Sequence, residues 1–441
     1  MSTPLTVPTS PTPSSKRSRS RDSTRSSAAA SVNTPSISGP SASVPSLIIP
    51  SASQTPSSVE HSPPDSTPYP AFLRQSKSDV HTKFIDLEWE QRRRLLQGMQ
   101  TTDPQGPPSQ WTRVSGDVVM NRNRYANVDP YLNNRIRLKV PEGHSDYINA
   151  SPIVLRNTKS ETVTNFIATQ GPKAEITSHI WRMLWHETAS PSVIIMLTQT
   201  HESGREKCHP YFPLSPSNPT LTVNPHDEFA DGFTATVTLL SMTEDPAARC
   251  TVRELEMRTP DDATKVVWHL LFAGWPDFLV PEGADRAALL RLIALSQAKN
   301  AANPLSPRVV HCSAGVGRSG TFIALDWLLR ELEEGSLDEV DPTADPVADV
   351  VDRLRCQRMM MVQGEQQFWF LYDVLRGKWR ERWRKLHLGI DPDAEVEVAG
   401  EVVNGEGEEG AGAGAVEVAD TEMEVDAVVE AQADDGGEGA S

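Results

Sequence analysis

The sequence predicts a single α/β domain, built on a twisted mixed β-sheet with helices on both faces and flanked by two disordered tails. Apolar or β-branched runs of strand length are partly interleaved and partly clustered with longer runs of helical spacing, which favours a mixed sheet. The composition also changes sharply near both ends of the 441-residue chain. We therefore expect tails at residues 1–78 and 389–441 and a folded domain at residues 79–388.

The two tails differ in composition. Proline, serine and threonine crowd residues 1–78, which leaves few side chains for a core. Residues 391–441 contain 17 acidic side chains and no lysine or arginine, and this number equals the formal net charge of the whole chain, −17. The acidic pI is therefore a property of the C-terminal tail, and it gives no information about the substrate of the domain.

The first element of the domain is a helix that we expect to begin near Ser78, where serine can cap it and Val80, Phe84 and Leu87 recur at helical spacing. A loop-rich segment follows, to about residue 151. Five strands are expected after it, at residues 192–200, 234–242, 250–259, 265–275 and 308–312. Five further helices are expected, beginning at Lys173, Asp285, Thr321 and Pro346, with the last one containing FWFLYDVLRGKW.

Membrane and disulfide-rich classes are disfavoured. The chain has no run of eighteen apolar residues and no charged-then-apolar start, so the sequence indicates neither a membrane span nor a signal peptide. Its four cysteines have neither the paired spacing of a disulfide framework nor zinc-ligand spacing. We expect a cytoplasmic protein that binds no metal, with neither nucleic acid nor membrane as a partner.

The stretch HCSAGVGRSG, which begins at His311, contains the residues with the clearest chemistry. A cysteine is a nucleophile only as the thiolate. Cys312 ends a strand-like run and a helix-like run follows, so the N–H groups of the turn can converge on one anion at a helix N-terminus. Arg318 offers a planar fork for two phosphate oxygens, and the Ser319 hydroxyl can donate to the sulfur. The converging amides belong to Ser313, Ala314, Gly315, Val316 and Gly317.

This pattern predicts attack of a thiolate on a phosphate ester. The alternative is a buried cysteine that happens to precede a glycine-rich turn. His311 also has two interpretations, since it either orders the loop through hydrogen bonds or is an ordinary histidine of the core.

At this stretch the sequence resembles the cysteine-based protein tyrosine phosphatases, whose signature HCxxGxxR[ST] it matches at every fixed position. The resemblance extends from about Asn123 to Trp379. The runs GRSGTFIALDWLLRELE and RMMMVQ look most similar to the tyrosine-specific, non-receptor kind found in fungi. The resemblance implies hydrolysis of phosphotyrosine in proteins through a cysteinyl-phosphate, without a cofactor.

Two further motifs resemble catalytic loops of the family. In GWPDFLVPE, the resemblance implies that Asp277 protonates the leaving oxygen and later activates water, although Leu279 stands where relatives usually have glycine. In VQGEQQFWF, it implies that Gln363 positions this water and that Gln367 is a second glutamine of the site. A helix cap is the alternative role for Gln367.

Two more motifs resemble loops around the substrate. In NRYANVDPY, Tyr125 is expected to wall a pocket deep enough to select phosphotyrosine, and Asn127 to bind the main chain of the substrate. In HESGREKC, Lys207 either pairs with Asp277 or is solvated. The runs DYINAS and FIATQGP resemble framework motifs of the family, to which we assign a packing role.

The resemblance also implies a monomer whose partners are phosphotyrosine-containing proteins. Fungal relatives act on stress-pathway MAP kinases, and seven Ser-Pro or Thr-Pro steps precede the domain, so MAP kinases are the candidate substrates. The basic run at residues 16–25 is a nuclear import signal, which would add a nuclear location, a contact for acidic partners, or a solvated charge run.

Three other functions remain open at this point. They are a dual-specificity or lipid phosphatase, an inactive phosphotyrosine-binding module, and a scaffold that acts through its tails. The first usually lacks the NRY loop and the Q-loop glutamines, and the second normally has a substitution at the Cys, Arg or Asp position.

Overall fold

A computed structural model describes residues 68–100, 106–276 and 279–388 of the chain. Its helices in these ranges are α1 Lys77–Met99, α2 Asp117–Arg122, α3 Thr177–Glu187, α4 Gly283–Asn300, α5 Gly317–Glu333, α6 Pro346–Gln357 and α7 Glu365–Leu388. Its strands are β1 Ala150–Arg156, β2 Val163–Thr169, β3 Ser192–Met196, β4 His201–Glu202, β5 Arg205–Glu206, β6 Thr220–Val223, β7 Ala235–Asp245, β8 Cys250–Arg258, β9 Thr264–Phe272 and β10 Arg308–His311. Short 3₁₀ turns at Ala71–Leu73 and Ala174–Ile176 precede α1 and α3.

Eight of the strands form one mixed sheet, in the order β1-β2-β10-β3-β9-β8-β7-β6. The four middle strands, β2, β10, β3 and β9, are parallel to one another. The strands on either side of them pair in antiparallel fashion. The predicted mixed α/β fold is therefore confirmed, and the strand that ends at the candidate cysteine lies among the parallel ones.

Side chains of the middle strands alternate between two cores, one on each face of the sheet. In β3, Val193 and Ile195 belong to the core that contains residues of α1 and of α4 to α7. Ile194 and Met196 belong to the core that contains α3. This period of two is what a strand buried on both faces requires, and helices cover both faces as predicted.

The first helix begins two residues earlier than expected, with a different cap. The Ser76 hydroxyl accepts a hydrogen bond from the Asp79 N–H at 3.2 Å, and the Asp79 carboxylate accepts one from the Ser76 N–H at 3.0 Å. This reciprocal pair is a capping box, and it places Ser78 inside the helix. The assignment of the cap to Ser78 is therefore wrong, since the residue three positions after Ser76 is the acidic one that can return the bond.

The described chain begins ten residues before the expected boundary at residue 78. Phe72 and Leu73 are buried in the larger core. Their segment is tied to α7, where the Arg376 side chain donates to the Leu73 and Gln75 carbonyl oxygens at 2.8 Å each. No helix in the described part of the chain is long and apolar enough to cross a membrane.

Candidate active site

Cys312 directly follows β10, and the loop after it leads into α5. The Cys312 side chain is buried, and its Sγ accepts a hydrogen bond from the Gly315 N–H at 3.3 Å. Gly315 has φ +73°, and a methyl group there would lie 2.1 Å from the Thr169 carbonyl oxygen. Only glycine fits this position, so the loop can turn its amides toward the sulfur at the positive end of the α5 dipole.

Arg358 fixes the orientation of two peptide groups of this loop. The fully buried guanidinium donates to the Ala314 carbonyl oxygen at 3.1 Å and to the Gly315 carbonyl oxygen at 2.9 Å. A trans peptide points its N–H away from its C=O, so these two bonds aim the Gly315 and Val316 N–H groups into the loop. Burial lowers the pKa of Arg358 to about 10, so it stays charged at neutral pH.

Arg318 lies in the first turn of α5 and is held in one plane by Glu202. Its Nη1 and Nη2 donate to Glu202 Oε1 and Oε2 at 2.6 and 2.9 Å, and Nη1 also reaches the Leu197 carbonyl oxygen at 3.2 Å. Burial opposes ionisation of Glu202, but the hydrogen bonds and charge of Arg318 hold its pKa below the usual range. The result is an oriented guanidinium beside the cysteine loop.

His311 fits both interpretations that the sequence left open, a histidine that orders the loop and a histidine of the core. Its Nδ1 lies 3.2 Å from the Cys312 carbonyl oxygen and its Nε2 lies 2.7 Å from the Tyr211 hydroxyl. A carbonyl oxygen can only accept, so Nδ1 carries the proton and Nε2 accepts from the hydroxyl. Burial lowers the pKa of His311 to about 4, so it is a neutral core histidine that also holds the loop.

A chain of hydroxyl groups connects Tyr125 to the same loop. The Tyr125 hydroxyl lies 2.8 Å from Ser313 Oγ, which donates to the Lys207 carbonyl oxygen at 2.9 Å. The Ser313 proton is used in the second bond, so the Tyr125 hydroxyl donates in the first. The half-buried ring thereby lies next to the cysteine loop, and exposed Asn127 follows it by two residues.

Both glutamines of the predicted Q-loop lie against the start of α5. A methyl group at Gly317 would come within 3.0 Å of the Gln367 side-chain amide and 3.4 Å of the Gln363 Cβ. Gln367 Oε1 also accepts a hydrogen bond from the Gly364 N–H at 3.3 Å, at the beginning of α7. Gln367 is thus a helix cap as well as a neighbour of the loop.

Three expectations about side chains of the site are not met or cannot be compared with the structure. They concern Ser319, Asp277 and Lys207. The Ser319 hydroxyl is buried and has no hydrogen-bond partner in the described part of the chain, so the bond to sulfur is not formed. Asp277 lies outside the described residues, between Trp275 and Leu279, whose indole N–H and carbonyl oxygen are 3.0 Å apart. Lys207 is buried, so its solvated alternative is wrong.

The sequence interpretation missed Arg358, since a buried arginine that binds backbone carbonyls has no local signature. The only signal was the presence of an arginine in the run RMMMVQ. Within the described ranges there is no group of three or more His, Cys, Asp or Glu side chains that could hold a metal ion.

Comparisons with known proteins identify the family to which these motifs belong. A family model described as Protein-tyrosine phosphatase matches residues 119–376, more than half of the chain. Tyrosine-protein phosphatase 1 of Saccharomyces cerevisiae is 32% identical over 339 residues, covering 70% of this chain and 96% of that protein. Tyrosine-protein phosphatase 2 of Schizosaccharomyces pombe is 35% identical over 259 residues, and this chain spans only 34% of its length.

Two further comparisons concern a relative that is named as a phosphatidylinositol phosphatase and a solved structure. The human Phosphatidylinositol phosphatase PTPRQ is 36% identical over 292 residues, covering 65% of this chain and 11% of that protein. The catalytic domain of human protein tyrosine phosphatase non-receptor type 18 superimposes with a TM-score of 0.54 at 25% identity, covering 70% of this chain and 99% of that domain.

Proposed function

The chain belongs to the protein-tyrosine phosphatase family, and on this premise we propose that it hydrolyses phosphotyrosine in proteins through a cysteinyl-phosphate. The observation that carries the proposal is the Gly315 N–H directed at Cys312 Sγ, 3.3 Å away, in a loop beside the oriented Arg318. Amide dipoles and a guanidinium at one point favour both a thiolate and a bound phosphate dianion.

In the first step, Cys312 Sγ attacks phosphorus, so that an S–P bond forms while the P–O bond to the tyrosine ring breaks. The amides of the loop and Arg318 hold the three non-bridging oxygens, where negative charge is concentrated. Asp277 gives its proton to the leaving phenolate oxygen.

In the second step, a water oxygen attacks phosphorus and the S–P bond breaks. Gln363 orients this water, and the Asp277 carboxylate takes its proton. The buried Ser319 hydroxyl, which has no partner in the described part of the chain, is available to donate to the departing sulfur.

Selection of tyrosine over serine follows from the length of the substrate side chain. The Tyr125 ring stands beside the cysteine loop, held by its bond to Ser313. A phosphotyrosine ring can lie along the Tyr125 ring while its phosphate reaches Cys312. A phosphoserine side chain is shorter than the depth of this pocket, so its phosphate would not reach the sulfur. Asn127, exposed at the rim, would bind the main chain of the substrate.

The finer proposal is that the substrates include MAP kinases, met in the cytoplasm and, if residues 16–25 act as an import signal, in the nucleus. Its support is the set of seven Ser-Pro or Thr-Pro steps before residue 68, which proline-directed kinases would recognise. A monomer is sufficient, because every catalytic group comes from one chain.

The proposal is tested with a phosphotyrosine peptide and the full-length protein. We expect Cys312→Ser to abolish turnover while still binding the peptide, and Asp277→Ala to slow the first step by roughly 10² to 10⁴. Cys356→Ser, a cysteine outside the site, is the matched control and should keep normal rates.

Asp277→Ala is also suited to retaining substrates from a cell extract, and MAP kinases among the retained proteins would support the finer proposal. A short-chain phosphoinositide hydrolysed faster than the peptide would contradict the assignment to phosphotyrosine. Normal activity in Cys312→Ser would contradict the mechanism.

A further inference from the structure

Helix α1 contacts the loop that carries Gln363, although α1 lies far from it in sequence. The Gln91 side chain is buried, and its Oε1 accepts a hydrogen bond from the Met360 N–H at 3.1 Å. Its Nε2 donates to the Tyr131 hydroxyl at 3.3 Å, which in turn donates to the Arg355 carbonyl oxygen at 3.2 Å. One side chain of α1 thus reaches the loop directly and also the end of α6 through Tyr131.

A second residue of α1, Glu88, reaches the same loop through Arg355. Glu88 Oε1 lies 2.8 Å from Arg355 Nη2, and the Arg355 side chain is fully buried. Arg355 donates from Nε to the Met361 carbonyl oxygen at 3.1 Å and from Nη2 to the Val362 carbonyl oxygen at 3.0 Å. Burial lowers the pKa of Arg355 and the Glu88 carboxylate opposes this, and the same carboxylate fixes the orientation of the guanidinium.

The loop needs such support because its backbone is strained. Met360 and Val362 have φ values of 60° and 57°. This left-handed region is unfavourable for residues other than glycine, and most of all for a β-branched one such as Val362. A residue in this conformation persists only where surrounding contacts hold it.

The same loop lies directly against the cysteine loop. The Val362 N–H donates to the Val316 carbonyl oxygen at 3.2 Å. A methyl group at Gly320 would lie 2.4 Å from the Val362 nitrogen, so the two backbones are in close contact. A small shift of the strained backbone would therefore change the distance between Gln363 and the phosphorus atom of the phosphocysteine.

We propose that Glu88 and Gln91 are positioning residues for the water attack, acting on Gln363 through Arg355 and the Met360 backbone. This inference rests on the proposed function. It concerns the second step in particular, because other groups hold the cysteine loop and Arg318. Arg358 holds the loop through the Ala314 and Gly315 carbonyl oxygens, and Glu202 holds Arg318. Loss of the α1 contacts should misplace the water and leave thiolate attack unchanged.

The test measures the two steps separately in the full chain. The variants are Glu88→Gln, which keeps the shape of the side chain and removes its charge, and Gln91→Met, which removes the acceptor for the Met360 N–H. The control is Glu90→Gln on the same helix, whose carboxylate pairs with Arg94, 3.2 Å away, and does not contact the loop. Stopped-flow release of p-nitrophenol from p-nitrophenyl phosphate reports the first step, and acid-trapped phosphocysteine reports the intermediate.

We expect both variants to hydrolyse the intermediate about tenfold more slowly or worse, as misplaced reacting groups do. Phosphocysteine should accumulate, and kcat and KM should fall together while kcat/KM stays within about twofold, since kcat/KM reports only events up to the first irreversible step. Glu90→Gln should behave as the parent protein.

The inference is overturned if Glu88→Gln and Gln91→Met partition like Glu90→Gln, or if kcat/KM falls as much as kcat. Glu88 is partly exposed, so Glu88→Gln provides a folded variant if Gln91→Met is too unstable. A parent protein with neither turnover nor trapped phosphocysteine would instead refute the proposed function, and this inference with it.

Discussion

Two buried histidines behind the cysteine loop are uncharged. Burial lowers the pKa of His311 to about 4. Burial, helped by Arg253 and His311, lowers the pKa of His269 well below its ordinary value, and neither ring nitrogen of His269 has a hydrogen-bond partner among the described residues. In the unfolded chain both rings would take up protons below about pH 6.5. The native state binds fewer protons than the unfolded state in that range, so acid favours unfolding.

The sign of this linkage gives a prediction for His269. The free energy of unfolding should fall as pH falls from about 6.5 toward 4, because both depressed pKa values belong to the folded state. His269→Leu removes one of the two rings and two unsatisfied polar atoms at nearly constant volume. We expect it to be more stable than the parent protein by about 1–3 kcal/mol at pH 5 and by less at pH 7.5.

Urea unfolding at the two pH values checks this, with exposed His226→Gln as the control that should leave both curves unchanged. An equal acid sensitivity in His269→Leu and the parent protein would show that His269 does not contribute.

The sequence pointed to Cys312, Arg318 and Tyr125, which the structure brings close together, and it missed the residues that hold them there. The motifs around Cys312, Arg318 and Tyr125 contain reactive groups at short spacing, which a sequence displays directly. Arg358 and Gln91 act by bonding to backbone groups of distant loops, and nothing beside them in the chain marks that role. Ser319 was expected to bond the sulfur, but its side-chain direction depends on the helix turn it occupies.

At the level of elements, strands that consist of a continuous apolar or β-branched run were the easiest to predict. All five expected strands occur. A continuous apolar run such as SVIIM is typical of a strand that is buried on both faces of a sheet. β2 and β1 were both missed. FIATQGP, which contains the second half of β2, was assigned a packing role. The sequence of β1, ASPIVLR, contains a proline, which argues against a central strand. The structure resolves this by placing β1 at the edge of the sheet, where a missing N–H is tolerated.

The capping box of α1 predicts that Ser76 contributes to stability and that Ser78 contributes little. Ser76→Ala removes the acceptor for the Asp79 N–H and should lower the free energy of unfolding by about 1 kcal/mol. Ser78→Ala lies within the helix and should change stability by less than about 0.5 kcal/mol, since alanine has the higher helix propensity. Chemical unfolding of the two variants side by side measures the difference, and a larger loss in Ser78→Ala would restore Ser78 as the cap.

At the scale of the whole molecule, the described segment before α1 packs in the larger core and contacts α7. The Trp379 indole N–H donates to the Pro68 carbonyl oxygen at 3.2 Å, and Phe72 and Leu73 are 2% exposed. Composition alone placed residues 68–78 in the tail, because TPYPAFLRQS contains the same small and polar residues as the region before it. Its apolar side chains, Phe72 and Leu73 among them, form too weak a pattern to be recognised without their partners.

Truncation tests where the domain begins and ends. We expect a fragment of residues 68–388 to keep the kcat/KM of the full chain for p-nitrophenyl phosphate and to unfold at the same temperature. A fragment of residues 79–388 should be less stable by about 2–5 kcal/mol, because it lacks Phe72, Leu73 and the Ser76 cap. Thermal unfolding of both fragments gives the comparison, and equal midpoints would place the boundary at residue 79.

The contacts between α1 and the Gln363 loop bear on when the protein becomes active during its synthesis. Gln91 meets Met360 across 269 positions, and Trp379 meets Pro68 across 311. A chain that leaves the ribosome N-terminus first presents α1 long before its partners exist, and bonds of such long range form last. If the proposed mechanism holds, a nascent polypeptide therefore carries Cys312 before it carries the residues that recycle it, and turnover would begin only when translation has passed α7.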